Sequence, residues 1–345
     1  MKSQSTLKPS LPFAQAGRYL LSLIVLGLAV HLLLPQITSL EHSWKVLTTL
    51  IPWAVGLAFA MQALSYTGSG YLLKTILRLT HQAVSLFRGT LIVLGAASVG
   101  MVAGGMVGSS AAIYRWTSQG EGHPEGATLA SILPALFNNL LLVLLSFFGL
   151  LHLLVVHDLS RVQLIGFSAI ILILGFLIGV LALALRYRDR ALATVTSAAS
   201  RLAHLRKKPF DSSLTEDATQ NLFAAWDNLR SGAWRKPALG AALSVIFDML
   251  TLYFLFIAAG NNISPGALLA GYGLPLLLGK MAFVVPGGVG VIEGSMAALY
   301  TGLGVPNSTT VVVVLGYRLI SFWLPSISGF PIAAYLQRSR TTNHA

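Results

Sequence analysis

The stretch Phe283-Val-Val-Pro-Gly-Gly-Val-Gly-Val-Ile-Glu-Gly-Ser295 lies inside an apolar run and breaks it. Pro286 with Gly287, Gly288 and Gly290 places a proline and three glycines within five residues, which should end a helix. A lone carboxylate, Glu293, follows at once. Hydrocarbon tolerates irregular backbone and charge only where neighbouring helices or a water-lined cavity satisfy them. A broken, carboxylate-bearing segment at membrane depth is more often part of a transport site than of a passive span.

The rest of the chain supplies that depth. Hydrophobic residues make up 55% of the 345 positions and charged residues 10%, and the mean hydropathy is +0.74. So much apolar surface cannot be hidden in a water-soluble domain of this size, and the composition predicts an all-α, polytopic membrane helix bundle. The net charge of +12 does not point to nucleic acid, because the Lys and Arg residues cluster between apolar runs, where the positive-inside bias and anionic headgroups account for them. Lys2, Lys8 and Arg18 precede the apolar run Tyr19 to Leu34, but no small-x-small cleavage site follows, so this run reads as an uncleaved first helix.

Apolar segments fall near 18–36, 44–66, 86–114, 128–156, 162–186, 237–260, 266–303 and 308–337. Basic residues assign the N-terminus, the 67–88 loop, the 187–236 linker and the C-terminus to the cytoplasmic side of the cell inner membrane. The poorly charged loops at 37–43, 157–161 and 261–265 then belong outside. This bookkeeping is consistent only if 86–114 enters and returns to one face and 266–303 enters and returns to the other. Six crossings and two broken hairpins result. The hairpins are either re-entrant or pairs of full crossings, which the charge rule does not separate.

An internal echo supports the plan. Ala103-Gly-Gly-Met-Val-Gly-Ser-Ser-Ala-Ala-Ile-Tyr114 resembles Pro286-Gly-Gly-Val-Gly-Val-Ile-Glu-Gly-Ser-Met-Ala-Ala-Leu-Tyr300, and each copy follows one crossing and precedes another. Inverted-topology repeats of this kind are a recurring transporter plan. The expected organisation is a tail at 1–17, membrane halves at 18–186 and 237–337, a linker at 187–236 and a tail at 338–345. Within the linker, Leu192, Val195, Ala199 and Leu202 form one apolar stripe. Leu214, Ala218, Leu222, Ala225, Trp226 and Leu229 form another, with Ser213 and Glu216 as a capping box, as expected of helices lying on the inner headgroup layer.

Few side chains are candidates for chemistry at depth. Glu293 opens a half-helix whose positive end would receive an anionic headgroup, while its carboxylate engages a cation, a sugar hydroxyl or an arginine. Arg318 and Lys280 are the nearest intramembrane cations in sequence, and either is a candidate partner for Glu293. The guanidinium of Arg318 suits phosphate bidentately. Asp248, deep in its crossing, needs a partner such as Lys280 or Arg318, or else fixes helix registry. Arg115 closes the first glycine-rich segment at the interface, where snorkelling or a lipid phosphate would engage it. Asn138 and Asn139 suit bonds between helices. Gly104, Gly105 and Gly108, with Pro286, Gly287, Gly288, Gly290 and Gly294, mark the helix breaks.

Other chemistries lack their residues. There are no cysteines, hence no disulfide, thiolate ligand or cysteine nucleophile. No His pair has metalloprotease spacing, and there is no Gly-x-Ser-x-Gly elbow, phosphate loop or dinucleotide fingerprint. No metal or cofactor is expected, and ATP-driven transport would need another subunit.

The block Pro286-Gly-Gly-Val-Gly-Val-Ile-Glu-Gly294, followed by Tyr317-Arg318 and a proline-containing final helix, resembles the transmembrane domain of lysylphosphatidylglycerol synthases and the flippase-like family built from that domain. The segment ending in Arg115, and Asp248 in its crossing, are similar to further family positions. The resemblance implies movement of a phospholipid between leaflets and adds Tyr317 to the substrate-binding candidates. Lysyl transfer, which in the synthases belongs to a separate soluble domain, is not expected of these residues. Asn138-Asn139 departs from an Arg and an acidic residue carried by many relatives.

The resulting expectation is a non-enzymatic, multi-pass translocase for a phospholipid or polyprenyl-linked headgroup. Its rivals are an intramembrane enzyme or subunit acting on lipid-linked sugars, and a scaffold recruiting a synthase or glycosyltransferase through the linker.

Overall fold

The computed structural model describes residues 45–118, 124–156, 232–281 and 286–341, with scattered positions between 165 and 200. The expected helix at 18–36, the body of the 162–186 segment and the linker stripes apart from Leu192 lie outside the described residues. Among the described residues all regular structure is helical.

The N-terminal half comprises α1 (Pro52–Arg78), α2 (Leu86–Val102), α3 (Met106–Thr117) and α4 (Pro124–Val156). The C-terminal half comprises α5 (Arg235–Ala258), α6 (Pro265–Met281), a tight 3-10 turn (Pro286–Gly288) and α7 (Val291–Gly302). It ends in a long rod of α8 (Asn307–Arg318), a five-residue π turn (Leu319–Trp323) and α9 (Leu324–Thr341). Pro52 starts α1, where its missing N–H costs nothing, and Ser85 caps α2 by accepting from the Arg88 N–H at 3.2 Å.

The halves repeat one design. A long helix leads into a 17-residue arm and a 12-residue arm in both cases, and a second long helix closes each unit. At 1.5 Å per residue the arms span roughly 25 and 18 Å, so the longer arm sits at the lower limit of about 17–25 residues for a crossing and the shorter falls below it. Each pair of arms doubles back. Gly271 abuts Tyr300 and Gly279 abuts Ile292 across α6 and α7, while Gly95 abuts Trp116 across α2 and α3. The copies run in opposite directions, because α1 and α5 pair antiparallel: the Ile51 N–H bonds the Ala258 carbonyl at 2.9 Å, Gly68 abuts Ser244, and Gly240 abuts Leu72. The packing is also mirrored, since α2 lies along α9 as α6 lies along α4. The inverted arrangement of two broken segments is therefore present, each a pair of arms that doubles back.

Three helices are long and apolar enough to cross a bilayer among the described residues: Gly126–Val155, Arg235–Ala258 and Asn307–Arg338. The two larger apolar clusters among the described residues follow the two hairpins. One gathers Leu72, Ile76, Ile92, Trp116, Leu133 and Leu336; the other gathers Leu252, Phe256, Tyr272, Met296, Tyr300 and Val313.

Three boundaries differ from expectation. The first described long helix runs over 52–78 rather than 44–66. Tyr66-Thr-Gly-Ser-Gly70 looks like loop, yet its small residues let α1 approach α5 and α2 closely enough for helix to continue. The final helix extends to Thr341, past 337. Gly108 and Gly294 are not at breaks but inside α3 and α7. Gly108 is pressed against Ala103, and the Gly294 N–H makes an ordinary helical bond to the Gly290 carbonyl at 3.0 Å.

Candidate functional site

The polar centre gathers where the break of the second hairpin meets α1, α5 and the π turn. The second break is built by backbone that only glycine adopts comfortably: Gly287 has φ 65° and Gly290 φ 85°. Gly290 precedes α7, and its N–H donates to Glu293 Oε2 at 2.6 Å. The carboxylate thus satisfies one of the free donors at its own helix N-terminus. Arg318 Nε donates to Glu293 Oε1 at 2.5 Å, and Arg318 Nη2 donates to the Gly287 carbonyl at 2.8 Å. The guanidinium lies over the Phe322 ring, 4.4 Å from its centroid. Both side chains are about 5% exposed.

This geometry gives the expected charges their partners. Of the two candidate cations, Arg318 is the partner of Glu293 and Lys280 is not. Both carboxylate oxygens and two of the three guanidinium nitrogens are engaged within the protein, so in this conformation the pair braces the break and offers little to a headgroup. The sequence shows both charges but not that they meet.

A second cluster surrounds Asp248 in the middle of α5. Its Oδ2 accepts from the Tyr317 hydroxyl at 2.6 Å and from the Tyr272 hydroxyl at 2.8 Å. Gln62 on α1 lies within side-chain hydrogen-bonding reach of the same carboxylate, and Arg318 lies within electrostatic range. Tyr272 and Tyr317 are buried, whereas Asp248 itself is half-buried. Nearby on α1, the Tyr66 hydroxyl donates to the Ser321 carbonyl at 3.1 Å. It thereby satisfies backbone in the π turn, a feature that often marks functional sites.

Lys280 is exposed beside the second break. It ends α6 just before the break and donates to Asn139 Oδ1 on α4 at 2.5 Å. Asp248 is within its electrostatic range. Asn138 and Asn139 are half-buried, and Asn138 Oδ1 has no hydrogen-bond partner. Arg115 stands apart, exposed in the last turn of α3.

The two breaks approach one another. α2 touches the Pro286–Gly288 turn, and Gly287 of that turn abuts Phe322. α2 runs antiparallel to α9, with Ser98 Oγ donating to the Ser326 carbonyl at 2.6 Å. The end of α2 that faces Phe322 is therefore its break end, beside Gly104 and Gly105.

Tyr272, Gln62, Tyr66 and Ser321 were not among the sequence candidates. Their only signal was a polar atom within an apolar run, which is too common in membrane helices to single them out. No group of three or more potential metal ligands occurs among the described residues.

Fold and site together define an all-helical membrane protein with a buried polar centre beside two broken hairpins that run in opposite directions. The chain belongs to the lysylphosphatidylglycerol synthase transmembrane-region family, whose model matches residues 19–329. It is similar to a UPF0104 membrane protein of Pyrococcus horikoshii, 30% identical over 199 residues that cover 52% of this chain and 55% of that protein. A UPF0104 membrane protein of Methanothermobacter thermautotrophicus is 37% identical over 87 residues, covering 25% of this chain and 26% of the relative. The chain thus spans about half the length of the first relative and about a quarter of the second.

Proposed function

We propose that this protein translocates a phospholipid or lipid-linked headgroup between leaflets and performs no covalent chemistry on it. The observation that carries this reading is the accessible Lys280, held by Asn139 at the break end of α6 and within electrostatic range of Asp248. An unsealed ammonium at membrane depth is costly unless water or a polar ligand reaches it. A lipid phosphate is the natural counter-charge, while the acyl chains stay in apolar surroundings. The Glu293–Arg318 pair has a bracing role here, and the phosphate-binding role expected of Arg318 passes to Lys280. Inverted halves with broken segments near the midplane give a headgroup two symmetry-related routes, one toward each leaflet. The basic segments favour a cytoplasmic side for both termini under the positive-inside bias. Membership of the lysylphosphatidylglycerol synthase family supports a lipid over a water-soluble substrate.

The test is transbilayer movement of a fluorescent phospholipid in vesicles containing the purified protein. Wild type should accelerate movement over empty vesicles and Lys280→Ala should abolish most of the gain. Acceleration unchanged in Lys280→Ala removes the proposed site, and covalently altered lipid in the product favours an enzyme.

A further inference from the structure

A separate groove of about 730 Å³ lies on the side of the bundle between α1, α2 and the π turn with α9. Phe59, Phe87, Leu94, Ile320 and Leu324 form much of its wall, with Gln62 and Tyr66 among the few polar residues. Most hydroxyls along the wall are turned away. Thr67 Oγ1 bonds the Ala63 carbonyl at 2.8 Å and Thr90 Oγ1 the Leu86 carbonyl at 3.0 Å, each in its own helix. Tyr66 bonds the Ser321 carbonyl and Ser328 the Pro325 carbonyl, at 3.1 and 3.2 Å. Such a surface gives water few of the two to four polar partners it needs.

Size decides between apolar occupants. A helix 10–12 Å across fills roughly 400–600 Å³ per turn, so the groove would hold less than two turns of one. A methylene is about the size of a water, with a ~30 Å³ share of liquid, which leaves room for roughly two dozen methylenes. That is the scale of one long acyl chain. The groove also shares a wall with the polar centre, because Gln62 lines it and reaches Asp248.

We propose that this groove seats one acyl chain of the transported lipid, an inference that rests on the translocation reading and adds to it a binding site for the tail. The chain threads from the hydrocarbon between Phe59 and Phe87 toward Ile320, while the headgroup lies on the Asp248 side of Gln62. Tail and headgroup are then held on opposite faces of α1.

The test uses the full chain in phosphatidylglycerol–phosphatidylethanolamine vesicles, with phosphatidylglycerol bearing a diazirine midway along one acyl chain. After irradiation, adducts are mapped by mass spectrometry. Phe147 and Phe148 of α4, exposed but outside the groove, report ordinary boundary lipid. Groove residues should be labelled about tenfold more than these two, as expected for a bound rather than a passing chain. Ala63→Trp and Thr90→Trp, which fill the groove, should erase that excess and leave α4 labelling unchanged. Misfolding would disturb both.

Equal labelling of groove and α4 in wild type overturns the proposal. So does labelling by a diazirine fatty acid but not by the phospholipid, or a cross-link showing a second copy of the chain seated there. Lipid movement with no groove excess defeats this inference alone. Groove excess without lipid movement in the same vesicles defeats the translocation reading and leaves the groove as a lipid-binding site.

Discussion

Arg318 Nε and Glu293 Oε1 lie 2.5 Å apart, joining the first turn of α7 to the last residue of α8 directly before the π turn. The same guanidinium holds the Gly287 carbonyl. One cation therefore ties together the 3-10 turn, the start of α7 and the entrance to the π turn. A brace of this kind behaves differently from a ligand site when it is cut.

Removing one partner strands the other charge in a dry setting. Glu293→Gln or Arg318→Met should each cost about 3–5 kcal/mol of stability, while the double change to Gln and Met should recover a large part of it. Thermal melting of the four proteins in one detergent forms the cycle. A double variant that melts like wild type yet moves no lipid would show that the pair does bind substrate.

Tyr272 and Tyr317 converge on one oxygen of Asp248. Tyr317→Phe or Tyr272→Phe should each cost about 1–3 kcal/mol, the range for leaving a buried polar group without one of its hydrogen bonds. Because the donors share one acceptor, the double variant should depart from the sum of the singles by at least about 0.5 kcal/mol. Strict additivity in the same melting assay would mean that the two hydroxyls act independently.

The first break has a free glycine and the second a constrained one. A Cβ at Gly104 meets nothing, whereas at Gly287 it meets the Phe322 ring. Both have positive φ, at 90° and 65°. Gly104→Ala should cost only the backbone strain of about 1 kcal/mol, and Gly287→Ala about 2–3 kcal/mol or more. Equal melting shifts would argue against the Gly287–Phe322 contact.

Insertion of the hairpins from opposite faces is accessible to thiol labelling, since the chain has no native cysteine. Ser85→Cys and Ser118→Cys flank the first hairpin and should react from the cytoplasmic face. Ser264→Cys and Asn307→Cys flank the second and should react from the other face with a membrane-impermeant maleimide. Reaction of Ser85→Cys and Ser118→Cys from different faces would turn the first hairpin into a crossing.

The glycine-rich breaks, the apolar plan and the pairing of opposite-facing halves are visible in the chain, because Pro and Gly act locally and hydropathy is a property of consecutive residues. Glu293, Arg318, Lys280 and Asp248 also declare themselves, since charge at depth is rare. Their partners do not. In a bilayer all helix faces are apolar, so pattern alone gives weak guidance on how each helix is rotated. Tyr66-Thr-Gly-Ser-Gly70 illustrates the limit, looking like a loop while packing α1 closely against α5 and α2.

The sequence by itself determined that this chain lives in a membrane, breaks twice and carries four isolated charges. Only the tertiary structure decided that Arg318 closes on Glu293 and leaves Lys280 accessible. Those contacts join residues brought together by helix packing rather than by chain proximity, and packing alone seals the Glu293–Arg318 pair from solvent.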